Sequence, residues 1–337
     1  MTRTGTSASD GSAADRLVPP ASANTLAVVV TYHPDEHLVR NLTRLLEQVD
    51  RVLIVDNTPD ELEPHPVRLA SMLSGVDVIR MGGNVGVASA LNVGVREMKT
   101  GGFEWLLTLD QDTLLRSDHL ALVHQAVEST VTPEVGLIGV NYEIAGQPVV
   151  SEGEGAVETP AVITSGSLLR AACAHACGPF RDDYFIDSVD TEYSLRARRS
   201  GFSVWITERI GMEHGLGQVA VRRFLGRDRL LFNYPPLRLY FIVRNGIVTL
   251  LSYGPNEREW AKGEIHRIVY KLVMGVLAED NRFRKLRAVM SGLWDGVWGA
   301  AGGLLDCSLT TAELERATSN QSSGASTESV SYTSQHR

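Results

Sequence analysis

The sequence predicts an α/β fold built on a mainly parallel sheet, and three observations predict it. Short apolar runs suited to buried strands alternate with segments whose apolar residues recur at helical spacing. Polar or glycine-rich signals follow several of these runs, as at the carboxyl edge of a sheet that gathers ligands there. One run, Leu106-Leu107-Thr108-Leu109, ends abruptly in Asp110-Gln111-Asp112-Thr113, two carboxylates one residue apart.

At 337 residues and 43% hydrophobic, the chain can build one large core or two small ones. Residues 1–24 are rich in Ser, Ala, Thr and Gly and read as a disordered leader without the apolar centre of a signal peptide. Leu26–Val30 is the first strand, with Thr31-Tyr32-His33-Pro34 as its exit. Pro34, Asp35 and Glu36 start a helix that carries Leu38, Leu42, Leu45 and Val49 on one face. Val52–Val55 is the second strand and ends in the turn Asp56-Asn57-Thr58-Pro59. Val76–Ile79 is the third, and Gly82-Gly83-Asn84-Val85-Gly86 then opens a helix with Ala90, Leu91, Val95 and Met98. The fourth strand is the run that ends in the paired acids. Ser117 caps a helix over Leu120–Val127, and Val135–Val140 and Ala161–Thr164 are further strands. Ser165-Gly166-Ser167 breaks the chain, and Phe180–Asp190 is a loop dense in acids and aromatics. Thr191–Ser200 is a helix closed by Gly201, and Val204–Ile206 a short strand leading to Met212-Glu213-His214-Gly215. Beyond Arg222 the pattern turns helical, and residues 311–337 read as a disordered tail.

The strand-end signals are Thr31/Tyr32, Asp56/Asn57, Asn84, Asp110/Asp112 and Ser165/Gly166. Each alone has a turn or cap explanation, but together they describe a cleft. Two aspartates leaving a strand suit a hard divalent cation that shares its shell with phosphate oxygens. A polar turn with Asp112 or Ser117 capping the next helix accounts for the same residues. The glycine loop lacks the G-x-G-x-x-G pattern, and no G-x-x-x-x-G-K-[ST] segment occurs, which argues against dehydrogenase and P-loop readings. Cys173 and Cys177 share a helix face while His175 points elsewhere, so zinc is not expected. Three cysteines and no span-length apolar run indicate a cytoplasmic protein. A net charge of −8 argues against nucleic acid. From Arg222 to Arg287, however, 14 Lys/Arg stand against 6 Asp/Glu, a basic segment on an acidic protein.

Four motifs carry a resemblance. They are Val28–Tyr32, Val55-Asp56-Asn57-Thr58, Gly83–Ala88 with Asn92, and Leu109–Thr113, and their succession resembles family 2 glycosyltransferases of the GT-A fold. The D-Q-D-T form, Phe185–Glu192 before Leu195-Arg196-Ala197-Arg198, and Arg244-Asn245 are similar to bacterial rhamnosyltransferases that take dTDP-L-rhamnose. The resemblance implies a nucleotide-diphospho-sugar transferase over residues 25–253 with a Rossmann-like, mainly parallel sheet. It implies that Thr31, Tyr32, Asp56, Asn84, Asp110 and Gly166 hold the donor, with Asp56 reading the base edge. Asp112 matches the metal ligand for a divalent cation, Mg or Mn, and His214 the residue that completes that site from a later loop. Asp190 matches the general base of an inverting displacement, with Asp187 in reserve. Asp190 would also make a helix N-cap, and Val189 stands where many relatives carry a glutamate. The implied product is a cell-envelope glycan such as O-antigen, and the acceptor a glycan or polyprenyl-linked hydroxyl. A UDP-sugar donor (galactofuranose or a hexosamine) is the alternative within the family. A non-catalytic nucleotide-sugar-binding partner is the alternative outside it, and one that has no use for a base.

Residues 254–310 form a basic, amphipathic, Trp-containing helical region. It suits either docking at the inner, anionic face of a membrane or packing in a homo-oligomer.

Overall fold

The computed structural model describes residues 17–60, 65–129, 131–144, 146–213, 220–224, 227–231, 233–277 and 281–302. The chain forms two compact units, Met1–Gly217 and Gln218–Arg337.

In the first unit, β1 (Thr25–Thr31), α1 (His37–Leu46), β2 (Arg51–Asp56), α2 (His65–Ala70), β3 (Val76–Arg80), α3 (Val87–Gly101) and β4 (Trp105–Asp110) alternate as expected except for α2, a short helix that the sequence pattern did not place. β5 (Leu114–Leu115), α4 (His119–Ser129), β6 (Val135–Asn141), the small hairpin β7 (Glu143–Ile144) and β8 (Gln147–Pro148), β9 (Ala156–Glu158) and β10 (Ser167–Arg170) come next. α5 (Ala171–Cys177), α6 (Val189–Arg199), β11 (Ser203–Ile210) and β12 (Met212–Glu213) complete it. The main sheet runs β3-β2-β1-β4-β10-β6-β11-β9. Pairings among β1, β2, β3 and β4 are parallel, as is β6 with β11, whereas β10 lies antiparallel to both β4 and β6. Every residue of β1 is buried, so it reads as a continuous apolar run rather than an alternating one. α1 closes one face with Leu38, Leu42 and Leu45, which join Ala27, Val29, Ile54 and Trp105 in one core.

Two expectations need correction. Residues 17–24 are not a loose leader: the indole N–H of Trp105 donates to the Val18 carbonyl at 2.9 Å, and Leu17 packs against the core. Residues 1–16 lie outside the described residues. The strand expected over Ala161–Thr164 sits at Ser167–Arg170 instead. Thr164 cannot join a ladder because its carbonyl accepts from Thr108 Oγ1 at 2.5 Å and its N–H donates to Asp190. Its backbone groups are already spent on side chains.

The second unit holds the hairpin β13 (Ala220–Phe224) and β14 (Arg227–Leu231), then α7 (Pro236–Tyr253), α8 (Arg258–Leu277) and α9 (Arg282–Gly302). Leu239, Ile242 and Val243 of α7 form its core with Ile268 and Val289. α9 approaches α7 closely at Gly292, where a Cβ would lie 2.7 Å from the Tyr240 carbonyl. Lys285 is buried and donates to Asn233 Oδ1 at 2.8 Å. The sequence assigned α7 to the catalytic region ending at 253. Its apolar face packs on α8 and α9, which places the division at 217/218.

Candidate active site

Register brings the strand ends together. Thr31 lies beside Asp56 and Val30 beside Asp110, and β10 begins at that same edge with Ser167 opposite Thr108.

Asp56 has no exposed surface. Thr31 Oγ1 (2.9 Å) and Thr58 Oγ1 (2.8 Å) donate to its Oδ1, and Arg80 pairs with Oδ2 at 3.4 Å. The carboxylate therefore ties together the exits of β1, β2 and β3, and in this arrangement it presents no surface to a base edge. The backbone N–H of Tyr32 donates to Gln111 Oε1 at 2.8 Å, and the Gln111 carbonyl accepts from Asn41 Nδ2 at 3.2 Å. Gln111 had no role in the sequence beyond separating two acids. In the structure it clamps the β1 and β4 exits to α1.

The Ser165 hydroxyl joins Asp110 to the break before β10. It donates to Asp110 Oδ2 at 2.6 Å and accepts from Asp110 N at 3.1 Å and Thr113 Oγ1 at 2.9 Å. Gly166 turns beside it with φ +71°, where a Cβ would meet Met212 Sδ at 2.7 Å. Asp112 is exposed where the chain leaves β4. Carboxylates at Asp110 and Asp112 are of the hard oxygen-donor type that a divalent cation takes together with phosphate. No three His, Cys, Asp or Glu side chains surround one point among the described residues, and His214 lies outside them.

The glycine loop works as a bracket. Asn84 Oδ1 accepts from the Gly86 N–H at 3.1 Å, so this side chain serves its own turn. Gly86 has φ +86°, and a Cβ there would lie 2.7 Å from the Phe185 carbonyl. Asn57 Nδ2 donates to the Gly86 carbonyl at 3.2 Å, and the Val87 N–H donates to Phe185 O at 2.7 Å. The loop thus links the β2 exit to the acid-rich segment. Phe185, Asp187 and Ser188 hold φ of 58°, 63° and 59°, costing non-glycine residues about 1–3 kcal/mol each. Asn92 of α3 helps hold that segment in place. Its Nδ2 donates to Phe180 O at 2.9 Å and Asp182 Oδ1 at 2.7 Å, while its Oδ1 accepts from Phe180 N at 2.8 Å.

Asp190 stands inside the first turn of α6, and Ser188 occupies the N-cap position expected for it. Its Oδ2 accepts from Thr164 N at 3.1 Å and its Oδ1 from Thr191 N at 2.7 Å. Burial nevertheless raises its pKa above the ordinary carboxylate value; the two N–H bonds oppose the rise, and the charges of Asp110 and Asp187 add to it. Asp187 on the same segment and Asp110 at the end of β4 thus supply the neighbouring charge that Val189 does not. Tyr142, just past the end of β6, is pushed up to about 12 by burial and by the Asp190 charge. It was missed in the sequence, although its place at a strand exit matched the other signals.

The Cys173 and Cys177 sulfurs lie 3.7 Å apart, while His175 Nδ1 pairs with the Ala171 carbonyl at 2.7 Å. No third ligand joins the thiols among the described residues.

Residues 26–141 match the family model "Glycosyl transferase family 2". A curated relative, the dTDP-rhamnosyl transferase RfbF of Shigella flexneri, is 27% identical over 301 residues, covering 84% of this chain and 98% of that protein. Among solved structures, S. aureus TarS superposes with a TM-score of 0.53 at 14% identity over 82% of this chain, which spans about half (49%) of that TarS chain. TarS 1-349 in complex with UDP-GlcNAc gives 0.51 at 13% identity over 80% of each chain. At such identity these structures speak to the fold. The sheet with its antiparallel β10, the matched segment and the similarity to RfbF agree: residues 26–141 carry a glycosyltransferase family 2 domain within a GT-A fold, and the chain resembles rhamnosyltransferases.

Proposed function

We propose that this enzyme is an inverting rhamnosyltransferase that moves L-rhamnose from dTDP-L-rhamnose to a hydroxyl of a glycan or lipid-linked acceptor. The observation that carries the chemistry is Asp190, a carboxylate at the sheet edge whose pKa is raised by burial and by Asp110 and Asp187. A raised pKa makes a carboxylate a better proton acceptor. The donor assignment rests on the similarity to a dTDP-rhamnosyl transferase.

In this reading Thr31, Tyr32, Asp56, Asn84, Asp110 and Gly166 shape the nucleoside and diphosphate pocket. Thr31, Asp56 and Asn84 act through the bonds that hold the strand exits in register. The acceptor oxygen attacks the anomeric carbon from the face opposite the diphosphate. Its proton passes to Asp190, and the diphosphate leaves with the bonding pair. Asp187, three residues away, keeps Asp190 basic through its charge and stands in reserve as base. Asp112, with His214, would hold a divalent cation, Mg or Mn, which when bound neutralises the departing diphosphate. Envelope glycan assembly on the cytoplasmic side is the setting this donor chemistry suits.

Asp190→Asn tests the reading. Calorimetric titration should show dTDP binding within about twofold of wild type, while transfer from dTDP-L-rhamnose falls by roughly 10²–10⁴-fold. Near-normal turnover would move the base to Asp187, and UDP binding more tightly than dTDP would replace the donor.

A further inference from the structure

Helix α9 buries one face and leaves another open. Lys285, Val289, Gly292 and Gly296 turn inward, Gly292 against Tyr240 and Val243 and Gly296 against Ile247. Elsewhere around the helix, Phe283, Met290 and Trp294 are 90%, 57% and 65% exposed, and Val297 and Trp298 are 53% and 52% exposed. Their spacing of seven, four and three to four residues keeps them on one stripe. The Trp294 and Trp298 rings stand 5.5 Å apart and make a continuous aromatic ridge. α8 adds a shorter exposed stripe, Ile265, Val269 and Val273. Apolar surface of this size and regularity marks a contact face.

The charges on α9 narrow the partner. Arg282, Arg284 and Arg287 are exposed at its N-terminal end, and none has an ion-pair partner among the described residues. Asp295 is the only acid in the helix, and its Oδ2 already accepts from the Tyr240 hydroxyl at 2.7 Å. A second copy packed along this face would offer the arginines no free carboxylate from α9 in either orientation. Lipid phosphates would complement them, and indole rings favour the boundary between acyl chains and headgroups.

We propose that α9 is an interfacial helix that docks the protein on an anionic phospholipid surface. Phe283, Met290, Trp294, Val297 and Trp298 enter the acyl boundary while Arg282, Arg284 and Arg287 meet the phosphates. The helix lies along the surface; no described helix is long and apolar enough to cross a membrane. The inference is independent of donor and acceptor.

The test is sedimentation of the full chain with phosphatidylglycerol-containing vesicles against pure phosphatidylcholine vesicles, at low and high salt. The wild type should partition onto the anionic vesicles, shift its tryptophan emission to the blue, and be released as salt rises. The triple change Arg282→Gln, Arg284→Gln and Arg287→Gln should weaken partitioning roughly a hundredfold. Trp294→Ser with Trp298→Ser should abolish it, with thermal unfolding like that of the wild type. Equal binding to both vesicle types, or undiminished binding by the arginine variant, would overturn the proposal. So would a dimer in light scattering, lost in the tryptophan variant, in a protein that ignores vesicles, because the ridge would then belong to a second copy.

Discussion

Asp190 is a carboxylate at odds with its surroundings. Two backbone N–H groups hold its charged form, yet burial and two neighbouring acids push the other way, and they win. The acid limb of kcat/KM should therefore lie above the ordinary carboxylate range. Asp187→Asn removes one repelling charge and should move that limb to lower pH, which a pH–rate series reads directly; an unmoved limb would detach Asp187 from the base. His119 offers a stability test. It is fully buried and its pKa is lowered from 6.5 to about 4 by desolvation, partly opposed by its bond to Gly211 O. A depressed pKa means the unfolded chain takes up the proton first, so stability present above pH 6.5 is lost as pH falls towards 4. The loss should reach roughly 2 kcal/mol by pH 5 and about 3 by pH 4. Urea midpoints should show that slope flattened in His119→Asn.

At the scale of elements, the informative feature is how α3, the glycine loop and the 180–190 segment hold one another. The strained backbone at Phe185, Asp187 and Ser188 persists because Gly86, Val87 and Asn92 surround it with hydrogen bonds and close contact. Asn92→Ala would leave both the N–H and the carbonyl of Phe180 without this partner. It should cost about 2–4 kcal/mol in denaturant unfolding. It should also lower kcat more than donor affinity, because the segment bearing Asp187 and Asp190 loses an anchor. If kcat holds while stability falls, the anchoring role fails. β10 teaches a related lesson. Leu168 and Leu169 are apolar, but nothing local marks Ser167–Arg170 as an antiparallel strand between β4 and β6. Strand direction is a property of pairing, and no local period records it.

At the scale of the molecule, the proposed site would draw on residues far apart in the chain: Asp110 and Asp112 where β4 ends, Asp190 in the first turn of α6, and His214 later in the sequence. Chelation with EDTA should abolish transfer and added Mg or Mn restore it, whereas Asp112→Ala should stay inactive at concentrations that rescue the wild type. Activity that survives both treatments would remove the cation from the reading. Much of this organisation was legible in the sequence. The alternation from β1 to β4, the polar strand exits and the paired acids are local signals, written in runs of a few residues whose period and termination follow from burial and turn chemistry. The sequence by itself therefore determined the α/β class and named the candidate edge and the candidate acids. Only the tertiary structure decided that Asp56 is sealed by Thr31, Thr58 and Arg80, that Gln111 and Asn92 are clamps, that Asp110 and Asp187 raise Asp190, and that α7 belongs with the C-terminal helices. The physical reason is the same in each case. A hydrogen bond, a desolvation or a charge–charge repulsion depends on distance in space, and the chain sets that distance only once it has folded.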